Sequence, residues 1–270
     1  MTMTAPSNTT GAISKATTAG LEKRDVGKTM KAYITQMKGE IAKALPSVMT
    51  PERFTRIVTS TLSANPKLAQ TTPQSFLGAM MTAAQLGLEP NTPLGQAYLL
   101  PYKRKGVLEC QFQIGYKGLI DLAYRSGEIA IIQAHEVCEN DEFSYEFGLE
   151  PKLSHKPATQ NRGKVIAYYA MFRTISGGFG FDVMGIDEVT AHAKTYSKSY
   201  GTSDSPWSNN FDEMAKKTVL KKVLKYAPLK SDFVRGIASD STIKHEIEED
   251  MLEVSPIEAE YEVSDEEVSA

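Results

Sequence analysis

Apolar residues recur at helical spacing in the first third of the chain, alternate through the middle, and return to helical spacing near residue 210. Thr50-Pro51-Glu52 supplies an N-cap hydroxyl, a proline at the first helical position and an acid in the first turn. Phe54, Ile57, Val58 and Leu62 follow on one face, and Asn65-Pro66 ends that helix. Thr72-Pro73 opens another, with Phe76, Leu77, Met80 and Ala84 on one face and Gly87 at its end. The period then changes to two. Gln96 to Tyr102 reads as a strand, Lys103-Arg104-Lys105-Gly106 as a turn, and Val107 to Ile114 as the returning strand of a β-hairpin. A short helix is expected from Leu119 to Arg125, closed by Ser126-Gly127.

Further strands are expected at 128–138, 141–147, 164–174 and 179–185, then a helix near 187–197, a polar loop at 198–206 and a helix from Trp207 to Tyr226. Helices, then meandering strands, then helices make an α+β domain rather than a parallel doubly wound sheet. The expected organisation is an N-terminal arm over 1–27, one folded domain over 28–239 and a disordered acidic tail over 240–270.

Charge sharpens this division. The 270 residues carry a net charge of −3, which taken whole argues against a nucleic-acid partner. From Asp240 to Ala270, however, twelve acids face the single base Lys244, while residues 1–239 hold 29 bases against 21 acids. The whole is thus a basic body with an acidic tail, and such tails repel themselves and stay unfolded. Removing residues 240–270 is accordingly expected to leave function intact or raise it. Met251, Leu252, Val254, Ile257, Tyr261 and Val263, spaced through the tail, keep partner docking open as well. There is no apolar run long enough for a membrane span and no apolar signal stretch, and two cysteines make no disulfide framework, so a cytosolic protein is expected.

The segment Glu213 to Tyr226 is the most informative local pattern. Val219, Leu220, Val223, Leu224 and Tyr226 share one side of a helix, and Lys217, Lys221, Lys222 and Lys225 the other, with no acid on that face. Such a row of ammoniums suits a phosphate backbone. Lys216 points toward the apolar arc, so it either meets an acid or reaches into a groove. Lys103, Arg104 and Lys105 lie on the hairpin tip, Tyr116 and Lys117 in a Gly-flanked turn where backbone could approach a ligand, and Arg125 ends the next helix. Tyr196, Lys198, Tyr200 and Trp207 flank a polar loop. Cations that track phosphates, interleaved with rings that stack on bases, are the composition of a single-strand binding surface.

Catalytic patterns are sparse. Gly27-Lys28-Thr29 lacks the glycine five positions earlier that a P-loop needs, since Glu22 stands there. The four histidines are scattered without metal-ligand spacing, and no nucleophile motif occurs. Asp141 and Glu150-Pro151-Lys152 imitate part of a metal-dependent nuclease site, but the proline breaks the strand that usually presents such a pair. A nuclease, and an interaction protein whose basic helix docks an acidic partner, are therefore the alternatives to a DNA-binding protein.

Several longer segments can be compared together: Gln85-Leu86-Gly87-Leu88-Glu89-Pro90, Leu94-Gly95-Gln96-Ala97-Tyr98-Leu99-Leu100-Pro101, Gln113 to Ala123, Asp141 to Leu149, and Pro206-Trp207 followed by Glu213-Met214-Ala215-Lys216-Lys217-Thr218. In order and spacing they resemble the RecT family of phage and prophage recombinases, from about Ala44 to Pro228. The resemblance implies a single-strand annealing protein in a bacterial cytoplasm that works without nucleotide hydrolysis or a cofactor, a divalent cation at most modulating DNA binding. It implies assembly into rings or filaments on single-stranded DNA and the annealed duplex. A paired 5′→3′ exonuclease and a host single-strand binding protein would be partners. On that reading Lys216, Lys217, Lys221, Lys222, Arg125 and Lys117 hold phosphates, Tyr116 and Trp207 stack on bases, Lys103, Arg104 and Lys105 touch neighbouring DNA, and Lys198 is a further DNA-binding residue. About five phosphate contacts per protomer correspond to a salt slope near −3.5.

Overall fold

The computed structural model describes residues 26–197, 199–203, 205–228, 231–248 and 250–257. Two helices, α1 (Val26–Gln36) and α2 (Lys38–Ala44), bring Met30, Ile34 and Ile41 into the core; neither was assigned from the sequence. In α3 (Pro51–Ala64) the Thr50 hydroxyl accepts from the Arg53 N–H, and Phe54, Val58 and Leu62 are buried. Asn65 closes α3 and caps the single-turn α4 (Pro66–Ala69), its side-chain oxygen accepting from the Lys67 N–H. Next comes α5 (Pro73–Leu86), ended by Gly87 at φ 59°, the left-handed cap that glycine adopts most readily.

The sequence assigned α5 one apolar face, but the helix is buried nearly all round, Ser75, Gly78 and Thr82 included. The small residues Gly78, Ala79, Ala83 and Ala84 make this possible by letting backbone approach closely. At Gly78 a Cβ would lie 2.3 Å from the Lys244 carbonyl oxygen.

The hairpin β1 (Ala97–Arg104) and β2 (Val107–Ile114) pairs in register from Ala97–Ile114 to Arg104–Val107. Its two-residue turn, Lys105-Gly106, has positive φ at both positions, which matches the strands' twist. Then follow α6 (Tyr116–Arg125), β3 (Ile129–Cys138), β4 (Glu142–Glu146), β5 (Lys152–Lys156), β6 (Val165–Thr174), β7 (Phe179–Gly185), α7 (Ile186–Tyr196), α8 (Pro206–Asn209), α9 (Phe211–Leu224) and α10 (Ser231–Ala238). Strands β3, β6 and β7 form an antiparallel sheet in the order β3-β6-β7. On its inner face Tyr168, Ala170 and Phe172 join the main core with Val219, Leu220 and Val223 of α9. On its outer face Val137, Tyr169 and Val183 are covered by Phe143 and Leu153 of the β4–β5 hairpin. The molecule is thus α+β, with α1, α2, α4, β5 and α10 added to the expected elements and the helix expected from Trp207 to Tyr226 divided at Asn210 into α8 and α9.

The tail boundary expected at 240 is displaced. Asp240, Ile243, Lys244, Met251 and Val254 are buried, Phe112 and Thr242 form a β-bridge, and the Lys244 ammonium donates to the Met251 carbonyl. Residues 239–257 are therefore a strap laid over α5 and β2. Mean composition concealed it, because a few apolar side chains and two acids with specific partners suffice to anchor an acidic segment. Residues 1–25 and 258–270, where most of the expected arm and the rest of the acidic tail fall, lie outside the described residues.

Gly78→Ala tests the strap. Displacing the Lys244 backbone should cost about 1–3 kcal/mol, the usual range for overpacking. Denaturant unfolding should report that loss, with faster proteolytic cleavage inside 239–257.

Candidate nucleic-acid interface

The α9 lysines do not form the free basic face that their spacing suggests. Lys217 is only 5% exposed, and its ammonium lies 2.8 Å from Asp240 Oδ1. Lys221 reaches Asp240 Oδ2 at 2.8 Å, and the Ile114 N–H donates to Asp240 Oδ1. Lys222 lies 3.1 Å from Asp182 and 3.2 Å from Glu188. Lys216 meets an acid, Glu136 of β3, at 2.8 Å. A charge count along one helix cannot register acids delivered by β3, β7, α7 and the strap, so the expectation of an uncompensated face is overturned.

Ionisation follows the pairing. Burial opposes a charge on Asp240, yet Lys217 and Lys221 outweigh it and hold the carboxyl below its ordinary range. Burial also pulls Lys216 down, but the Glu136 carboxylate more than compensates and leaves the ammonium above its usual value. Lys216 in turn lowers Glu136.

Other expected contacts are also occupied within the fold. Arg125 donates to the Leu86 carbonyl at the end of α5 and to Asp121. Arg104 makes a two-pronged pair with Glu109. Trp207 is 6% exposed and packs edge-on against Phe211 with ring centres 5.5 Å apart, which makes it a core residue. Lys198 lies outside the described residues.

The remaining candidates fall in two places, the start of α6 and the tip of the hairpin. Lys117 is exposed at the start of α6, its ammonium 5.9 Å from the centre of the half-buried Tyr116 ring. Tyr98 of β1 stands beside them: its hydroxyl lies 3.3 Å, and the Lys117 side chain 3.5 Å, from where a Cβ on Gly95 would sit. Lys103 and Lys105 are exposed toward the tip of the same hairpin. Burial, and secondarily the Glu213 carboxylate, raise both the Tyr98 and Tyr116 hydroxyls above the ordinary phenol range. Both therefore stay neutral and able to donate a hydrogen bond throughout the physiological range. The surface combines two half-exposed rings, one adjacent free-standing lysine and a basic hairpin, an arrangement that can stack on bases and meet phosphates.

The glycines beside Tyr116 have a different use from the one expected. A Cβ on Gly115 would lie 2.1 Å from the Gly95 carbonyl oxygen, and one on Gly118 would lie 2.0 Å from that of Gln96. They bring backbone against backbone, locking α6 to the strand that carries Tyr98. Tyr98 was missed because its strand was read only as apolar and extended, although period-two alternation sets Tyr98 and Tyr102 on the same face.

Asp141 does not form the nuclease-like pair with Glu150. Its carboxylate accepts from the Cys138 and Ala158 N–H groups, the Arg162 guanidinium and His155. Glu150 is exposed in the β4–β5 turn. Among the described residues no group of three or more His, Cys, Asp or Glu is arranged to hold a metal ion. No helix among them is long and apolar enough to cross a membrane.

These features define an α+β protein with an aromatic and basic surface at a hairpin–helix junction. The model of the RecT family matches residues 52–255, and the chain belongs to that family. It is 40% identical over 240 residues to protein RecT of Escherichia coli K12, covering 87% of each chain. It is 30% identical over 239 residues to the uncharacterized protein YqaK of Bacillus subtilis 168, covering 84% of this chain and 81% of that one.

Asp240→Ala tests the ion-pair hub. Leaving Lys217 buried without its partner should cost about 3–5 kcal/mol. Because the folded carboxyl titrates below its unfolded value, its contribution is complete above about pH 4 and disappears as pH falls through the folded value. Unfolding measured against pH should show the parent losing stability in that acid window and the variant losing less.

Proposed function

We propose that this protein binds single-stranded DNA and anneals complementary strands in phage-type recombination, without ATP, as an oligomer or helical filament. Membership of the RecT family over most of the body is the observation that carries the reading. The surface at Tyr98, Tyr116 and Lys117 gives it a physical basis. Base pairs are exchanged and no covalent bond changes, so the protein needs only to hold one strand's phosphates while leaving its base edges open. The neutral hydroxyls of Tyr98 and Tyr116 and the ammonium of Lys117 would grip the strand, and Lys103 and Lys105 would meet its continuation. Glu22 stands where a P-loop ending in Gly27-Lys28-Thr29 needs its first glycine. That departure favours work without a nucleotide cofactor; a divalent cation would act only by screening or bridging DNA phosphates. The partners on this reading are an exonuclease that exposes the strand and the host single-strand binding protein, in a bacterial cytoplasm.

With three exposed lysines as phosphate contacts, the salt slope should be near −2, shallower than the value first expected. Tyr116→Ala should weaken oligonucleotide binding by about 1–3 kcal/mol beyond what its loss of core packing costs in stability, and Lys117→Ala should flatten the salt slope while leaving thermal unfolding unchanged. Lys217→Ala, by contrast, should act mainly through stability. Annealing of labelled complementary oligonucleotides, without ATP and with magnesium present or absent, checks the reaction. Strands shortened in magnesium would favour a nuclease instead.

A further inference from the structure

The tip of the β4–β5 hairpin has no role in the site described above, yet it presents apolar side chains to solvent. Phe147 is 56% exposed and Leu149 is 103% exposed. Gly148 between them holds φ 136°, a conformation that other residues rarely adopt. The tip is flanked by the carboxylates of Glu146 and Glu150. It is firmly set on the sheet: Phe147 stacks on Phe181 of β7 with ring centres 5.1 Å apart and planes 17° from parallel. The Asp141–Arg162–His155 cluster anchors the base of the hairpin at the other end. An apolar knob held rigidly in water is what a contact surface requires and a free loop does not.

A complementary feature lies on the helical half. Between α2 and α3 runs a shallow groove of about 350 Å3, lined by Lys38, Glu52, Thr55, Arg56, Thr59 and Ser60. Arg56 gives it a basic edge, Lys38 is paired with Glu52 at 3.0 Å, and the buried Thr55 hydroxyl in its wall has no hydrogen-bond partner. The wider charge agrees: residues 26–70 hold seven bases against two acids, whereas 128–185 hold five bases against eight acids.

We propose that the Phe147–Leu149 tip of one copy seats in the α2–α3 groove of a second copy, with Glu150 facing Arg56. Knob and groove are different surfaces of the chain, so the contact is head-to-tail. Repeated, it makes a ring or an open helix rather than a closed pair. A single hairpin tip buries less than the roughly 1,200–2,000 Å2 of a stable free interface. Assembly is therefore driven by a strand that lines protomers up, each new one binding beside a neighbour already in place. The inference rests on the strand-binding reading for that last step only.

Sedimentation of the full chain with and without long single-stranded DNA tests it. Leu149→Asp and Arg56→Glu should each reduce DNA-dependent assembly at least tenfold. Affinity for an oligonucleotide too short for two protomers should stay within twofold of the parent, and the melting temperature should not change. Arg56→Glu combined with Glu150→Arg should restore assembly. Parent-like assembly by Leu149→Asp would overturn the proposal, as would a charge-exchanged pair no better than either single variant. A parent that binds the short oligonucleotide but never assembles would also overturn it, while sparing the strand-binding reading. A parent that fails to bind the strand at all would strike that reading instead.

Discussion

The carboxylate of Asp240 is the contact on which the rest of the architecture depends. It joins Lys217 and Lys221 of α9 to the backbone of Ile114 at the end of β2, so it ties the helix under the sheet to the hairpin and the start of the strap. The Lys217 ammonium would be prohibitive to bury alone, and Lys221 stands half-buried beside it. Their shared acid makes the burial tolerable and at the same time sets where the last segment enters the fold. The lysines that look most suited to DNA are thereby committed to holding the molecule together.

What could be read from the chain was local. The Thr50 cap, the Asn65-Pro66 break and the Gly87 stop are each decided by neighbours a few residues away and stand where the pattern placed them, while the turn expected over Lys103 to Gly106 narrows to Lys105-Gly106 because Lys103 and Arg104 pair in β1. Long-range partnerships were not legible. Asp240 lies 23 residues from Lys217 in a segment whose composition reads as unfolded, and Glu136 is 80 residues from Lys216. Strand β5 escaped notice because Lys152, Ser154 and Lys156 face outward on a short edge and only Leu153 and His155 turn inward. The helix expected from Trp207 to Tyr226 is broken at Asn210, and lysine spacing misjudged the electrostatics of its longer part, since the field of a charge depends on what packs beside it.

Of the candidate site, Tyr116 and Lys117 were legible as a ring and a cation in a Gly-flanked turn. Tyr98 was not, because its proximity is created by two glycines that pull α6 onto β1. The same close packing fixes both rings at once, so their spacing depends on glycines that touch no ligand. Burial, and secondarily the nearby Glu213 carboxylate, disfavour ionisation of both phenols, so neither ring adds a negative charge of its own.

The strap also orders the life of the chain in time. Residues 239–257 are synthesised after everything they fasten, and until they emerge α5 lacks the cover over Gly78 while Lys217 has no counter-charge. A nascent or clipped molecule ending near 239 would present an apolar trough and stranded ammoniums, features that invite capture by holdases and proteases.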